Sequence, residues 1–473
     1  MNLEHYFDHG DSSRGERVVE ACVVGSGGFG RSLLVHAPRV PGLDARVAVD
    51  LDLDTAVAAL RAAGWPLDRI HVCREVAEAR RAWNAGHCVV TDSLAMALAL
   101  PFDVVVEATG QPEAGARHAV LAIEAGRHLA LASKEVDSVV GPMLAEMARE
   151  RGCIVTPVDG DQPSLLLGLI SWAERVGLEV ISAGKASEYD FIYDPCARTL
   201  ECDGRRIDAS GLDTLWQRGG QPLAEWLAAR AQLAAALPQR AVPDLCELGL
   251  VANHSALVPD QPSLHCPIAR LGEVADIFER RELGGLLAGE GRIDVFNCLR
   301  RVDEFSPAGG VFVNVRCGDR ESWRMLAAKG HLVGRDGNAA TILLPRHLLG
   351  LEVATSLFEA VLNGVSSGAR VPKPRFDLVG IAERDLPTGT ALTAHGHHHT
   401  IDHLRPALVP AAALTEEAPL PFYLAATGRL RRAVSAGEPI RGGDVELDET
   451  SMLWRLRHQQ DARFLGGAPT RYA

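Results

Sequence analysis

The feature that most restricts this chain is a glycine turn near its start. A short apolar run, Val18 and Val19 and then Cys22, Val23 and Val24, reads as a buried parallel strand. It runs directly into Gly25-x-Gly27-x-x-Gly30, and Ser32–Ala37 reads as a first helix. Strand, glycine turn and helix in that order suit a sheet that closes round a dinucleotide diphosphate. Gly25 permits the tight turn, Gly27 lets the backbone approach the diphosphate, and Gly30 lets helix and strand pack closely. The helix start offers unpaired amides and a positive dipole end to the phosphates.

A glycine triplet alone is weak in a chain with 46 glycines, and two further segments support it. Arg46–Asp50 reads as a second strand, and its last residue, Asp50, is placed to hold ribose hydroxyls. Phe102–Gly110 reads as a later strand whose Thr109-Gly110 end would lie under the nicotinamide half. With Gly28 and Phe29 of the turn itself, these residues make up the candidate coenzyme set.

At 473 residues the chain is long enough for about three domains without disulfide staples. A formal net charge of −13 argues against nucleic acid or an anionic membrane as partner. The ten cysteines are scattered with no C-x-x-C pair, as in reduced cytosolic proteins. There is no signal-peptide core and no apolar run of membrane-spanning length. These features predict a cytoplasmic protein acting on a small molecule.

Residues 1–16 are polar and read as a lead-in arm. Strands and helices then alternate to about Arg149, with strands at Cys88–Thr91, His128–Ala132 and Ile154–Val158, and helices at Thr55–Gly64 and Ala114–Ala125. A helix over Ser164–Val176 leads to a strand over Leu178–Ala183. Beyond it, to about Arg375, strands such as Val311–Arg316 and Thr341–Leu344 mix with helices, among them Leu223–Leu237. Pro372-Lys373-Pro374 marks a boundary, after which short strands and turns form a β-rich module. The expected fold is α/β: a dinucleotide-binding domain with its arm (1–160), an α+β catalytic and dimerisation domain (161–375) and a small β-rich domain (376–473).

The candidate chemistry lies after the strands. Lys134 follows a strand at the edge where open α/β sheets bind ligands. Asp159 and Asp161 are two apart and share a face of an extended segment. Lys185 and Glu188 are three apart and share a side of a turn. Lys185 can protonate a carbonyl oxygen as hydride arrives, with a carboxylate relaying the proton. Alternatively Asp159, Asp161 and Glu188 can hold Mg²⁺ or Mn²⁺, and the two aspartates also suit the cap of the helix near Ser164. Asp190 and Asp194 read as surface turn acids. His395, His397, His398, His399 and His403 form a cluster better read as a solvated turn than as a zinc site. His347, beside Arg346 at a helix start, reads equally as a residue facing the active site and as a plain helix-start histidine.

VVGSGGFG, DVVVEATG and ASKE resemble the cofactor domain of homoserine dehydrogenase. The longer pattern of ASKEVDSVVGP, VDGDQP, GKASEYDF, LVANHSALVPD and LLPRHLLGLE resembles the homoserine-dehydrogenase-like proteins with a C-terminal SAF domain. That group includes the 1-deoxy-D-xylulose 5-phosphate reductoisomerase-like enzymes. The resemblance implies a Rossmann domain, a catalytic and dimerising domain and an SAF-like end, in a homodimer or larger homo-oligomer. It implies that Gly25, Gly27 and Gly30 bind diphosphate, that Thr109, Gly110 and Lys134 lie along the nicotinamide ribose, and that Lys185 is catalytic. The order acid-x-acid and then Lys-x-x-Glu also resembles the metal-binding order of ordinary deoxyxylulose phosphate reductoisomerase. GHHHTIDH departs from the usual SAF turn, and the lack of a basic cluster near Ser187–Tyr193 points to an unphosphorylated substrate. Asp50 favours NAD, whereas the relatives imply NADPH and Arg31 is near enough in sequence to reach a 2′-phosphate, so both coenzymes stay open. Three readings follow: an NAD(P)-dependent oxidoreductase or metal-assisted reductoisomerase of a hydroxy-carbonyl compound, a metal-free semialdehyde reductase, and a non-catalytic NAD(P)-binding regulator.

Overall fold

A computed structural model describes residues 17–396 and 399–466. The lead-in arm and His397 and His398 lie outside them. Contacts group the chain into two units: 1–164 with 348–374 and 448–473, and 165–347 with 375–447.

The first unit is built on seven parallel strands: β1 (Val19–Val24), β2 (Leu43–Val49), β3 (Ile70–Val72), β4 (Cys88–Thr91), β5 (Val104–Glu107), β6 (His128–Leu131) and β7 (Val155–Pro157). Their order is β3-β4-β2-β1-β5-β6-β7, so the winding reverses at β1, and β1 pairs with β2 on one side and β5 on the other. Helices α1 (Gly28–His36), α2 (Leu53–Ala62), α3 (Val76–Asn84), α4 (Pro112–Glu124) and α5 (Lys134–Glu150) make the crossovers. The centre of the sheet is apolar on both faces because helices cover both; Val104, Val105 and Val106 are all fully buried. This is the Rossmann-type arrangement expected for the first part of the chain.

Two late segments complete that unit. Val353, Leu357 and Val361 enter the core beside Val23, Leu33 and Val106. The helix Met452–Phe464 lies against α5, where Pro142 interrupts the helical ladder. Gln460, 2% exposed, bridges that turn: its side-chain oxygen accepts from Met143 N–H (3.2 Å) and its amide donates to the Val139 carbonyl (2.9 Å). The last helix thus groups with the parallel sheet, whereas a boundary at Pro372-Lys373-Pro374 puts it with the β-rich module.

The second unit centres on β8 (Val180–Asp194). After it come β9 (Thr199–Cys202), β10 (Arg205–Asp208), the helices α6 (Leu223–Leu233) and α7 (Val242–His254), and β11 (Val258–Pro259) and β12 (Ile268–Ala269). The mixed sheet is completed by β13 (Arg292–Arg301), β14 (Val311–Arg316), β15 (Leu332–Val333) and β16 (Ala339–Leu344). Parallel β13 flanks β8 along its length, while antiparallel β14 and β9 share the other side. The strand expected to stop at Ala183 therefore continues for eleven more residues. Every residue of α7 but His254 is buried.

Helix α7 also meets β17 (Phe376–Ala382) and β18 (Leu404–Pro410), an antiparallel pair. Asn253 makes the join: its side-chain oxygen accepts from Arg375 and Phe376 N–H, and its amide donates to the Phe376 carbonyl. The segments 387–396 and 435–447 add isolated bridges and short pairings to this β-rich part. All ten cysteines are free thiols, and all but Cys196 are buried. Among the described residues, no helix is long and apolar enough to cross a membrane.

Candidate functional site

The carboxyl edge of the parallel sheet gathers the glycine turn, Asp50, Thr109, Gly110, Lys134, Asp159 and Asp161. Gly25 has φ +92°, and a Cβ there would meet the Ala108 carbonyl oxygen at 2.7 Å. A Cβ on Gly30 would stand 1.9 Å from the Gly25 oxygen. Gly27 and Gly28 are different: a Cβ on either meets nothing within 4 Å. Helix α1 starts at Gly28, earlier than expected, with no side-chain cap and no acid in its first turn. The helix start thus carries neither a capping side chain nor an obstacle beside Gly27 and Gly28, a setting that fits a diphosphate.

Asp50 supports the turn directly. One carboxylate oxygen accepts from Ser26 N–H (2.6 Å) and the other from Asp52 N–H (2.9 Å). Thr109 Oγ1 donates to the buried Glu107 carboxylate (2.5 Å), and Gly110 N–H donates to Ser133 Oγ (2.9 Å). Lys134 opens α5, with Nζ 3.9 Å from Asp161 Oδ1. Its neighbour Glu135 is buried and its carboxyl is pushed up to about 7, the Lys134 charge opposing part of the rise.

Asp159 and Asp161 do different things. Asp159 accepts from Ser164 Oγ and Thr355 Oγ1, both at 2.5 Å, and donates its N–H to Ser356 Oγ. It ties the loop after β7 to the segment around Thr355. Asp161 Oδ1 accepts from Gln162 N–H at the start of the helix Gln162–Arg175, the capping role weighed for this pair.

In the second unit, Lys185 lies within β8 and not in a turn, and its side chain is 1% exposed. Nζ is 2.8 Å from Asp244 Oδ1 and donates to Glu247 Oε2. Asp244 and Glu247 are three apart on α7, so one helix face presents both. Asp244 Oδ2 accepts from Ser187 Oγ (2.6 Å), which itself accepts from Tyr189 N–H (3.1 Å). Burial raises the Asp244 carboxyl above its ordinary range, with Lys185 opposing and Glu247 adding to the rise. Glu188 Oε1 lies 3.7 Å from Lys185 Nζ and is 33% exposed. In a regular strand these two would point apart. An irregularity in the β8–β13 register, between Ala186 and Asp190, puts them on one side.

Asp244, Glu247 and Ser187 escaped the sequence reading. Their signal is VPDLCELGLVANH, a helix apolar on all sides that still carries two acids; a buried charge needs a partner, and a lysine on a neighbouring strand supplies one. Asp190 is no surface turn acid: it takes a two-pronged contact from Arg300, 2.7 Å at its shortest. Asp194 accepts from Cys196 and Ala197 N–H in a turn, as expected. His347 precedes the helical segment and does not start it. His395 Nε2 pairs with Asp402 (2.9 Å), while His399 stands edge-on to Tyr423. Among the described residues no group of three or more His, Cys, Asp or Glu side chains is placed to hold a metal ion. Of the residues expected as ligands to Mg²⁺ or Mn²⁺, Asp159 and Asp161 belong to the first unit and Glu188 to the second.

Solved structures with partial likeness include a DOX-P reductoisomerase in complex with magnesium, 16% identical, with 36% of this chain and 46% of that one covered and a TM-score of 0.26. Myo-inositol dehydrogenase from Lactobacillus casei in complex with NAD(H) and myo-inositol is 16% identical, with coverage of 37% and 46% and a TM-score of 0.25. GenD2 from gentamicin A biosynthesis, in complex with NAD, is 18% identical, with coverage of 74% and 87% and a TM-score of 0.33. The chain thus spans about half the length of the first two. No curated protein matches it. Residues 241–353, which include Asp244 and Glu247, match the catalytic-domain model of the oxidoreductase DRL family.

Proposed function

We propose that this chain is an NAD(P)-dependent oxidoreductase that moves hydride between a nicotinamide coenzyme and a small polar hydroxy-carbonyl compound. The observation that carries the reading is the buried ammonium of Lys185 held between Asp244 and Glu247, two residues of the segment that matches an oxidoreductase catalytic domain. The coenzyme, when bound, supplies or accepts the hydride. Residues 25–30 offer backbone amides to its diphosphate, Asp50 accepts from its ribose hydroxyls, and Thr109, Gly110 and Lys134 line its nicotinamide end.

In the reducing direction Lys185 gives a proton to the carbonyl oxygen as the carbon receives hydride. In the oxidising direction it takes the hydroxyl proton. Glu188, with part of its carboxylate in solvent, exchanges that proton with water. Acid–base assistance of this kind contributes roughly two to four orders of magnitude in rate. Hydride transfer needs only the residues named above; a metal-assisted rearrangement is the second reading, in which Asp159, Asp161 and Glu188 would hold the ion. The test is turnover of NADH or NADPH against sugar acids, hydroxy-ketones and semialdehydes, with chelator and with Mg²⁺ or Mn²⁺. Oxidation of coenzyme that needs a carbonyl compound supports the proposal. No turnover across the panel removes it, and turnover that vanishes in chelator and returns with the metal favours the rearrangement.

A further inference from the structure

The chain carries 48 lysines and arginines but only four lysines: Lys134, Lys185, Lys329 and Lys373. One of these few sits fully buried in the middle of β8. An ammonium so placed is costly without charge partners. Helix α7 supplies two, and the first of them is itself clamped. Tyr189 N–H donates to Ser187 Oγ, Ser187 donates to Asp244 Oδ2, and the opposite oxygen of Asp244 faces Lys185 Nζ at 2.8 Å. Glu247 Oε2 accepts a hydrogen bond from the same ammonium. The side chains of Asp244 and Glu247 are 2% and 1% exposed, against 33% for Glu188.

We infer that Asp244 and Glu247 are positioning residues: they fix the direction and the protonation of Lys185, with Ser187 as the clamp on Asp244. The ammonium donates to Glu247 and lies 2.8 Å from Asp244 Oδ1, both on α7, while Glu188, the most exposed of the three acids, stands 3.7 Å away. The inference rests on the proposal that Lys185 handles the substrate proton. Charged groups that face Lys185 within its unit include Asp244 and Glu247 from α7 and Glu188 from β8. Its register partners on β13 and β14, Val295 and Val311, are apolar.

Having four lysines makes a direct test practical. Full-length protein labelled with ¹³C at lysine Cε gives four signals, assigned by single Lys→Arg variants, and the Lys185 signal is followed against pH. Asp244→Asn and Glu247→Gln should each make Lys185 lose its proton about one pH unit lower or more, the scale expected for removing an adjacent opposite charge. Ser187→Ala, a milder change, should move it the same way by less. With the carbonyl compound turned over, the kcat–pH profile should move with the lysine signal while KM changes less than threefold. An unmoved Lys185 titration in any folded variant overturns the inference. So does a moved titration with an unmoved kcat–pH profile, which makes the cluster a structural ion pair. A panel with no turnover removes the functional reading and this inference with it, whereas turnover with an unmoved lysine removes this inference alone.

Discussion

Lys185 Nζ and Asp244 Oδ1 stand 2.8 Å apart with both side chains closed off from solvent. A charge pair so placed is costly to break from one side, because the remaining partner stays buried and uncompensated.

Lys185→Ala should therefore register twice. Turnover should fall by roughly two to four orders of magnitude with coenzyme affinity nearly unchanged. Stability should fall by about 3–5 kcal/mol, because two buried carboxylates lose their cation. Chemical denaturation at neutral pH, beside single-turnover kinetics, reads both. An unchanged rate would clear Lys185 of proton transfer.

The glycine turn separates folding from binding. Gly27 has φ −67°, which alanine tolerates, and its missing Cβ faces open space. Gly27→Ala should leave stability within about 0.5 kcal/mol yet weaken coenzyme binding by tenfold or more, about 1.4 kcal/mol. Gly30→Ala should destabilise the fold by roughly 1–3 kcal/mol, since its Cβ would strike the Gly25 carbonyl. Thermal denaturation and calorimetric titration of the two variants check this, and equal effects on folding would contradict it.

How much of this was readable from the chain follows from what each segment depends on. The turn at 25–30 was legible because its glycines answer to local backbone geometry. The strand through Lys185 was cut short at Ala183 because Gly184-Lys185-Ala186-Ser187-Glu188 reads as a polar turn. Only the acids of α7, some sixty residues later, make that lysine acceptable inside a sheet. The return of Val353, Leu357 and Gln460 to the first unit was likewise invisible, since it depends on tertiary packing and, for Gln460, on the break at Pro142. Asp159 was read as a site acid from its spacing, whereas its hydroxyl partner Thr355 is supplied by a segment 196 residues away.

Asp137, buried within α5, has its carboxyl pushed up to about 7 by burial alone. The unfolded chain titrates this group near 3.9, so the folded state binds the proton more tightly. Stability should therefore decline as pH rises from about 4 to about 7 and level off above, by up to about 4 kcal/mol from this group. Asp137→Asn should flatten that slope and stabilise the protein more at pH 8 than at pH 5. Urea midpoints at the two pH values decide it, and equal slopes would show that Asp137 does not contribute.

Asp159 holds Ser164 and Thr355 at 2.5 Å each. Asp159→Ala should speed amide exchange over residues 349–358 and cost about 1–3 kcal/mol for the stranded polar groups. Lost activity with unchanged exchange would instead point to a direct role in the chemistry.

The most direct test of the account is calorimetric titration of the intact protein with NADH and with NADPH. Saturable one-to-one uptake of at least one of them is expected, weakened tenfold or more in Gly27→Ala. Uptake of neither coenzyme, or equal uptake by the variant, would contradict it.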